Sequence, residues 1–159
     1  MSKKILVIGV LLSCLFISQN SFALEPFNSN VFTQIKEENL GKRWLLVLWS
    51  VDCPPCFKEL ALLQKLRSEK QLLPIVIINV DDNDEVAGQR VELLKRFQLN
   101  ELPNYYFQDG EGDKQRYNID SQWYGELPRS YFVEANGTFH GKSGLMSEQV
   151  LTKWLLNQP

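Results

Sequence analysis

Histidine is nearly absent from this chain: His140 is the only one among 159 residues, and only three cysteines accompany it. Structural zinc takes four nitrogen or sulfur ligands as a rule, so this set argues against such a site. An excess of basic charge is missing too. Lysine and arginine number 17 against 19 aspartates and glutamates, which leaves no electrostatic footprint for nucleic acid or an anionic membrane. There is no glycine-rich fingerprint of a nicotinamide or flavin site, so no cofactor is expected. Internal repeats and low-complexity tracts are also lacking. The longest apolar stretch, Ile5 to Ile17, falls short of the roughly 18 to 20 residues a spanning helix needs.

That stretch fits an export signal. Met1-Ser2-Lys3-Lys4 precedes it, Ser18-Gln19-Asn20 closes it, and Ser21-Phe22-Ala23 puts small residues three and one before a cut. This is the layout of a secretory signal peptide over residues 1–23, cleaved after Ala23, with 24–159 as a single domain. Lipidation at Cys14 and a retained membrane anchor are the alternatives. Hydrophobic residues continuing through Ile17 oppose the first, and the short length opposes the second. Cleavage removes Lys3, Lys4 and Cys14, leaving 15 basic against 19 acidic groups. Any disulfide within the mature chain then joins Cys53 to Cys56. The remaining 136 residues have apolar content enough to build a core without a staple.

Hydrophobic periodicity sets the order of elements. Asn28 to Leu40 carries Val31, Ile35 and Leu40 among polar residues, a short helix capped by Asn28 or Ser29. Leu45 to Trp49 and Pro74 to Val80 are apolar runs, the pattern of strands covered on both faces. Between them Leu60, Leu63 and Leu66 recur at helical spacing, ending by Leu72 and Pro74. Asp81-Asp82-Asn83-Asp84-Glu85 reads as a solvated loop capping a helix through Val86, Val91, Leu94 and Phe97; calcium binding is the rival. Asn104 to Gln108 is a short strand, Asp109 to Asp113 a turn, and Ser130 to Glu134 a strand. Asn136-Gly137 then turns a hairpin back through Thr138 to Lys142. Asn136-Gly137-Thr138 also spells a glycosylation acceptor. A helix from Ser147 to Leu155 closes the chain. The expected class is α/β: a mixed central sheet flanked by helices, with parallel crossovers first and an antiparallel hairpin last.

The chemistry concentrates in Cys53-Pro54-Pro55-Cys56, where the first buried run gives way to a helix. A helix start leaves N–H groups unpaired and places partial positive charge at its tip, so a sulfur there is stabilised as thiolate. Prolines suit the first turn because their missing N–H groups would have been orphans, while the Cys56 N–H can point at the Cys53 sulfur. Cys53 is therefore the attacking thiol and Cys56 the resolving one in disulfide exchange. As a structural staple the pair closes only four residues, a contribution of roughly 2 kcal/mol at best. Metal by four ligands lacks partners, and two buried fillers would make the spacing a coincidence. The rival from another class is a binding module that holds copper(I) on soft thiolates, or holds substrates, without turnover.

With strand, cysteine pair, helix, strand and a later proline before a hairpin, the chain resembles thioredoxin-fold proteins. More specifically it resembles the TlpA/ResA/DsbE-like periplasmic thiol-disulfide oxidoreductases. The likeness covers about residues 42 to 157. It rests on Trp49-Ser50-Val51-Asp52-Cys53-Pro54-Pro55-Cys56-Phe57-Lys58-Glu59, on Tyr124-Gly125-Glu126-Leu127-Pro128, and on Phe132-Val133-Glu134-Ala135-Asn136-Gly137. It implies a thioredoxin-like fold with an N-terminal extension and a helix-strand insertion before a cis-proline. It also implies an exported enzyme acting on protein disulfides, in cytochrome c assembly or in general reductive repair. A membrane thiol carrier would supply electrons, and a monomer is expected.

The same likeness implies site residues. Pro128 would be the cis-proline facing the cysteines, with Leu127 lending its backbone to a substrate strand. Leu102-Pro103 has similar surroundings but no strand-hairpin-helix ending after it. Glu59 matches a carboxylate that assists proton transfer; a surface glutamate is the plain alternative. Trp123 and Tyr124, with Trp49, would form an aromatic collar, unless Trp49 simply fills the core. His140 reads as a surface residue of the hairpin. Two positions depart from the family. Asp52 stands where tryptophan is usual, and a carboxylate about 6 Å from Cys53 opposes its thiolate by on the order of 1 kcal/mol. Destabilising the thiolate favours the disulfide and so makes a stronger reductant. Arg129-Ser130 replaces a threonine pair, which suggests a more cationic substrate rim.

Overall fold

Two strands without a solvent-facing residue hold the centre. All six residues of β2 (Trp44–Trp49) and all five of β3 (Ile75–Asn79) are buried. The structure, a computed structural model, describes residues 24–69 and 74–156. The expected signal peptide, Cys14 and Leu72 lie outside those residues. Around the central pair run β1 (Leu24–Pro26), β4 (Asn104–Tyr106), β5 (Arg129–Val133) and β6 (Phe139–Ser143), in the order β1-β4-β3-β2-β5-β6. The first four of these positions are parallel; β5 pairs antiparallel with β2, and β6 antiparallel with β5.

Alternation along β2 builds two cores. Leu45, Val47 and Trp49 face a layer of α2 (Pro54–Glu69), α3 (Ala87–Arg96) and α5 (Glu148–Leu156), meeting Leu60, Leu63, Leu94 and Leu151. Trp44, Leu46 and Leu48 face the opposite layer, where α1 (Ser29–Glu38) supplies Phe32 and Ile35 and α4 (Gly112–Ile119) adds Ile119. The two-residue period of a strand thus serves both faces at once, which is why its sequence shows no polar alternation. The helix-strand insertion is α3 with β4, and β4 slots between β3 and β1.

Of the two caps expected for α1 it is Asn28 that acts, its side chain accepting from the N–H groups of Asn30 and Val31. Other local expectations need correcting. Leu40 lies past the end of that helix and is exposed. In α3 the buried residues are Arg90 and the expected Leu94, while Val91 is exposed. The turn expected at Asp109 to Asp113 leads into α4, whose buried positions are Gly112 and Gln115. Beside the apolar contact of Ile119, Gln115 holds that helix by hydrogen bonds: its Nε2 donates to the Phe27 carbonyl at 2.7 Å, and its Oε1 accepts from the Gln108 N–H at 2.9 Å. The Asn136-Gly137 turn forms as expected, with Gly137 at φ +85°, a left-handed conformation that glycine adopts without a Cβ clash.

Candidate active site

The residues after β2 place the cysteines just beyond the C-terminal end of that central strand, and a polar network fixes the turn. Asp81, just beyond β3, accepts from the Ser50 hydroxyl at 2.5 Å and the Val51 N–H at 2.8 Å. Asn79 donates to the same carboxylate at 2.7 Å and accepts from Arg90 Nε at 2.7 Å. Arg90 Nη2 reaches the carbonyls of Asp81 and Asn83, both at 2.7 Å. A buried arginine on the insertion therefore braces the strand ends that hold the cysteine turn. The acidic run is therefore not wholly a solvated loop: its first member, Asp81, is a structural anchor.

Cys53 and Cys56 are joined in a disulfide. Cys53 keeps 8% of its surface and Cys56 only 1%, while Pro54 and Pro55 are exposed. The Cys56 N–H donates to the Cys53 sulfur at 3.2 Å. That bond is the helix-start contact expected from two prolines in the first turn. Asp52 is exposed, with its N–H bonded to the Ser50 hydroxyl at 3.1 Å.

Glu59 lies three residues after Cys56 on the buried side of α2 and is 2% exposed. Its Oε1 accepts from the Ser130 hydroxyl at 2.7 Å, and its Oε2 is buried with no partner. Burial pushes its pKa up to about 7, against the opposing pull of the Ser130 hydrogen bond and the positive charge of Lys142. Lys142 is the register partner of Ser130 on β6. A carboxyl of this kind holds a proton near neutral pH and gives it up just above.

The Leu127–Pro128 peptide is cis. Because Arg129 pairs with Leu48 across β5 and β2, this peptide stands beside the end of β2 from which the cysteine turn departs. Leu127 packs against both cores, including the one that contains Cys53 and Cys56. The Pro128 carbonyl accepts from the Gly144 N–H at 2.8 Å. Among the described residues Leu127–Pro128 is the only cis peptide, so Leu102-Pro103 does not share its geometry.

The aromatic collar is not assembled as expected. Trp49 is sealed in the core with the cysteines, and Trp123 is buried in the opposite core. Trp123 instead donates from its indole to the Glu126 carbonyl at 3.0 Å, supporting the loop before Pro128 from beneath. Only Tyr124, 92% exposed, stands free on that loop. The cationic rim expected at Arg129 is also revised: its side chain is 14% exposed and ion-paired with Asp120 and Glu126. His140 is exposed on β6, 4.0 Å from Glu134, and Met146 is buried as core filling.

Several solved structures share this fold. A secreted Mycobacterium tuberculosis disulfide oxidoreductase homologous to E. coli DsbE aligns over 74% of this chain and 83% of its own, at 20% identity and TM-score 0.57. StoA from Bacillus subtilis aligns over 72% and 83%, at 23% identity and TM-score 0.51. The exposed lipoprotein thioredoxin Etrx1 of Streptococcus pneumoniae aligns over 75% and 87%, at 14% identity and TM-score 0.54. The fold is thioredoxin-like. No family model matches the chain, and no curated protein does.

Proposed function

We propose that the protein is a thiol-disulfide oxidoreductase that reduces disulfides in other proteins. The observation that carries this reading is the Cys53–Cys56 disulfide at the start of α2, with the less buried sulfur accepting the Cys56 N–H. In the reduced form, the Cys53 thiolate attacks one sulfur of a substrate disulfide. The S–S bond breaks, a mixed disulfide forms, and the departing substrate sulfur takes up a proton. Cys56 then loses its proton, with Glu59 as the nearby acceptor, and attacks the Cys53 sulfur. The second substrate thiol leaves, and the Cys53–Cys56 disulfide holds the two electrons' worth of oxidation. A dithiol donor restores the reduced pair, and a membrane thiol carrier suits an exported enzyme.

Export with cleavage after Ala23, and work in the cell envelope, complete the proposal. Cytochrome c maturation is one job that fits it. Leu127 presents the substrate-facing backbone ahead of the cis-Pro128, Asp52 tunes the thiolate, and Trp49 and Trp123 act from beneath the surface. The test is a trap: with Cys56→Ser, mixed disulfides should accumulate on Cys53 and be released by dithiothreitol. A Cys56→Ser protein that forms no adducts, beside a native protein that binds copper(I), would instead support a binding module.

A further inference from the structure

The segment ahead of Pro128 is held by one side chain that shares the face of Tyr131, opposite the core that contains the cysteines. Arg129 Nη2 donates to Asp120 Oδ2 at 2.9 Å, and Nη1 donates to the Ser143 hydroxyl at 2.8 Å. Nη1 also lies 3.5 Å from Glu126 Oε1, which accepts from Ser143 at 2.6 Å. Asp120 and Glu126 bracket the loop that ends at Leu127, while Ser143 is the register partner of Arg129 on β6. The Tyr131 hydroxyl adds a 2.9 Å bond to Asp120, and the guanidinium lies 4.7 Å from the Tyr131 ring centroid. Both carboxyls sit below their usual range. For Asp120, hydrogen bonds and the Arg129 charge outweigh desolvation; for Glu126, the Ser143 bond leads.

Room for this clasp depends on a glycine. A Cβ at Gly141 would collide with Arg129 Nη2 and fall 2.8 Å from its Cζ. Lysine could not replace the arginine, because one ammonium cannot reach partners on two sides of a planar fork.

We propose that Arg129 is a positioning residue that holds the Leu127 backbone as a ready strand edge, and thereby fits the site to disulfides carried on extended polypeptide. This rests on the oxidoreductase reading above. An edge already ordered before binding spares a polypeptide substrate the cost of ordering it. A small disulfide meets only the sulfur of Cys53 and gains nothing from the edge. The two substrate classes therefore separate the role of Arg129 from general damage.

The experiment compares reduction of insulin with reduction of 5,5′-dithiobis(2-nitrobenzoic acid) by wild type, Arg129→Met and Arg129→Lys. The expected result is a KM for insulin raised about tenfold, kcat held within about twofold, and the small-disulfide rate constant held within about twofold. Arg129→Lys should not restore KM. Gly141→Ala presses chiefly on the guanidinium end of Arg129, with the Tyr131 ring next at 3.1 Å, so it serves as the second variant should Arg129→Met fail to fold, and it should raise KM in the same selective way. Equal losses on both substrates, or no change on either, would overturn the inference while leaving the oxidoreductase reading intact. A wild-type protein inert toward both disulfides would overturn both.

Discussion

The Ser130 hydroxyl donates to Glu59 Oε1 across 2.7 Å, tying the strand that follows the cis-proline to the helix that carries Cys56. One carboxyl thus links the substrate-facing strand to the resolving thiol one turn above it. Its other oxygen is buried and unpaired, the state in which a carboxyl prefers to keep its proton.

Stability should therefore depend on pH through Glu59. Folding raises its pKa from 4.5 to about 7, so the folded protein binds the proton more tightly than the unfolded chain. Its favourable contribution is complete at low pH, falls as pH rises between those two values, and levels off above. The loss is on the order of 3 kcal/mol. Denaturant unfolding of the oxidised protein should show this slope in wild type and a flat response in Glu59→Gln.

Turnover should follow the same group in the opposite sense. Only ionised Glu59 can accept the Cys56 proton, so disulfide reduction should climb with a midpoint near pH 7. Glu59→Gln should slow resolution of the mixed disulfide by about 100-fold and abolish that inflection. Stopped-flow measurement of mixed-disulfide decay across pH 5 to 9 checks this; an unchanged profile would remove Glu59 from the mechanism.

Asp52 should set part of the redox poise. Its carboxylate is exposed beside Cys53, and replacing it by asparagine removes repulsion on the thiolate. The reduction potential should rise by about 20 mV, and the difference should shrink in high salt. A fall in potential on Asp52→Asn would reverse the sign of this argument.

Asp81 should matter more for the cysteine turn than its place in an acidic loop suggests. Asp81→Ala leaves the Ser50 hydroxyl, the Val51 N–H and the Asn79 amide without their acceptor. A loss of about 2–3 kcal/mol is expected in chemical denaturation. Alkylation of reduced Cys53 should also change rate, because the turn that aims it is no longer fixed.

What could be read in advance follows from the range of the interactions involved. β2 and β3 are legible because residues buried on both faces leave an apolar run. The hairpin is legible because Asn136-Gly137 names its own turn geometry. The cysteine pair and Pro128 were legible by motif. α4 was not, because Gln115 seats it through hydrogen bonds with Gln108 and Phe27 and leaves no apolar period. The Arg90–Asn79–Asp81 network and the Arg129 clasp were hidden for a related reason. Each joins groups that only the folded sheet brings together, and a charged residue in sequence looks the same whether it meets solvent or an ion partner. Trp123 misled in the reverse direction: an aromatic near a site suggested a rim, but its large apolar area found the core.

The reduction potential of Cys53–Cys56 tests the central claim most directly. Equilibrated against graded ratios of reduced and oxidised glutathione or dithiothreitol, the purified protein should be half oxidised between roughly −200 and −300 mV, as befits a reductant of protein disulfides. A value near about −120 mV, the poise of a strong oxidant, would contradict it.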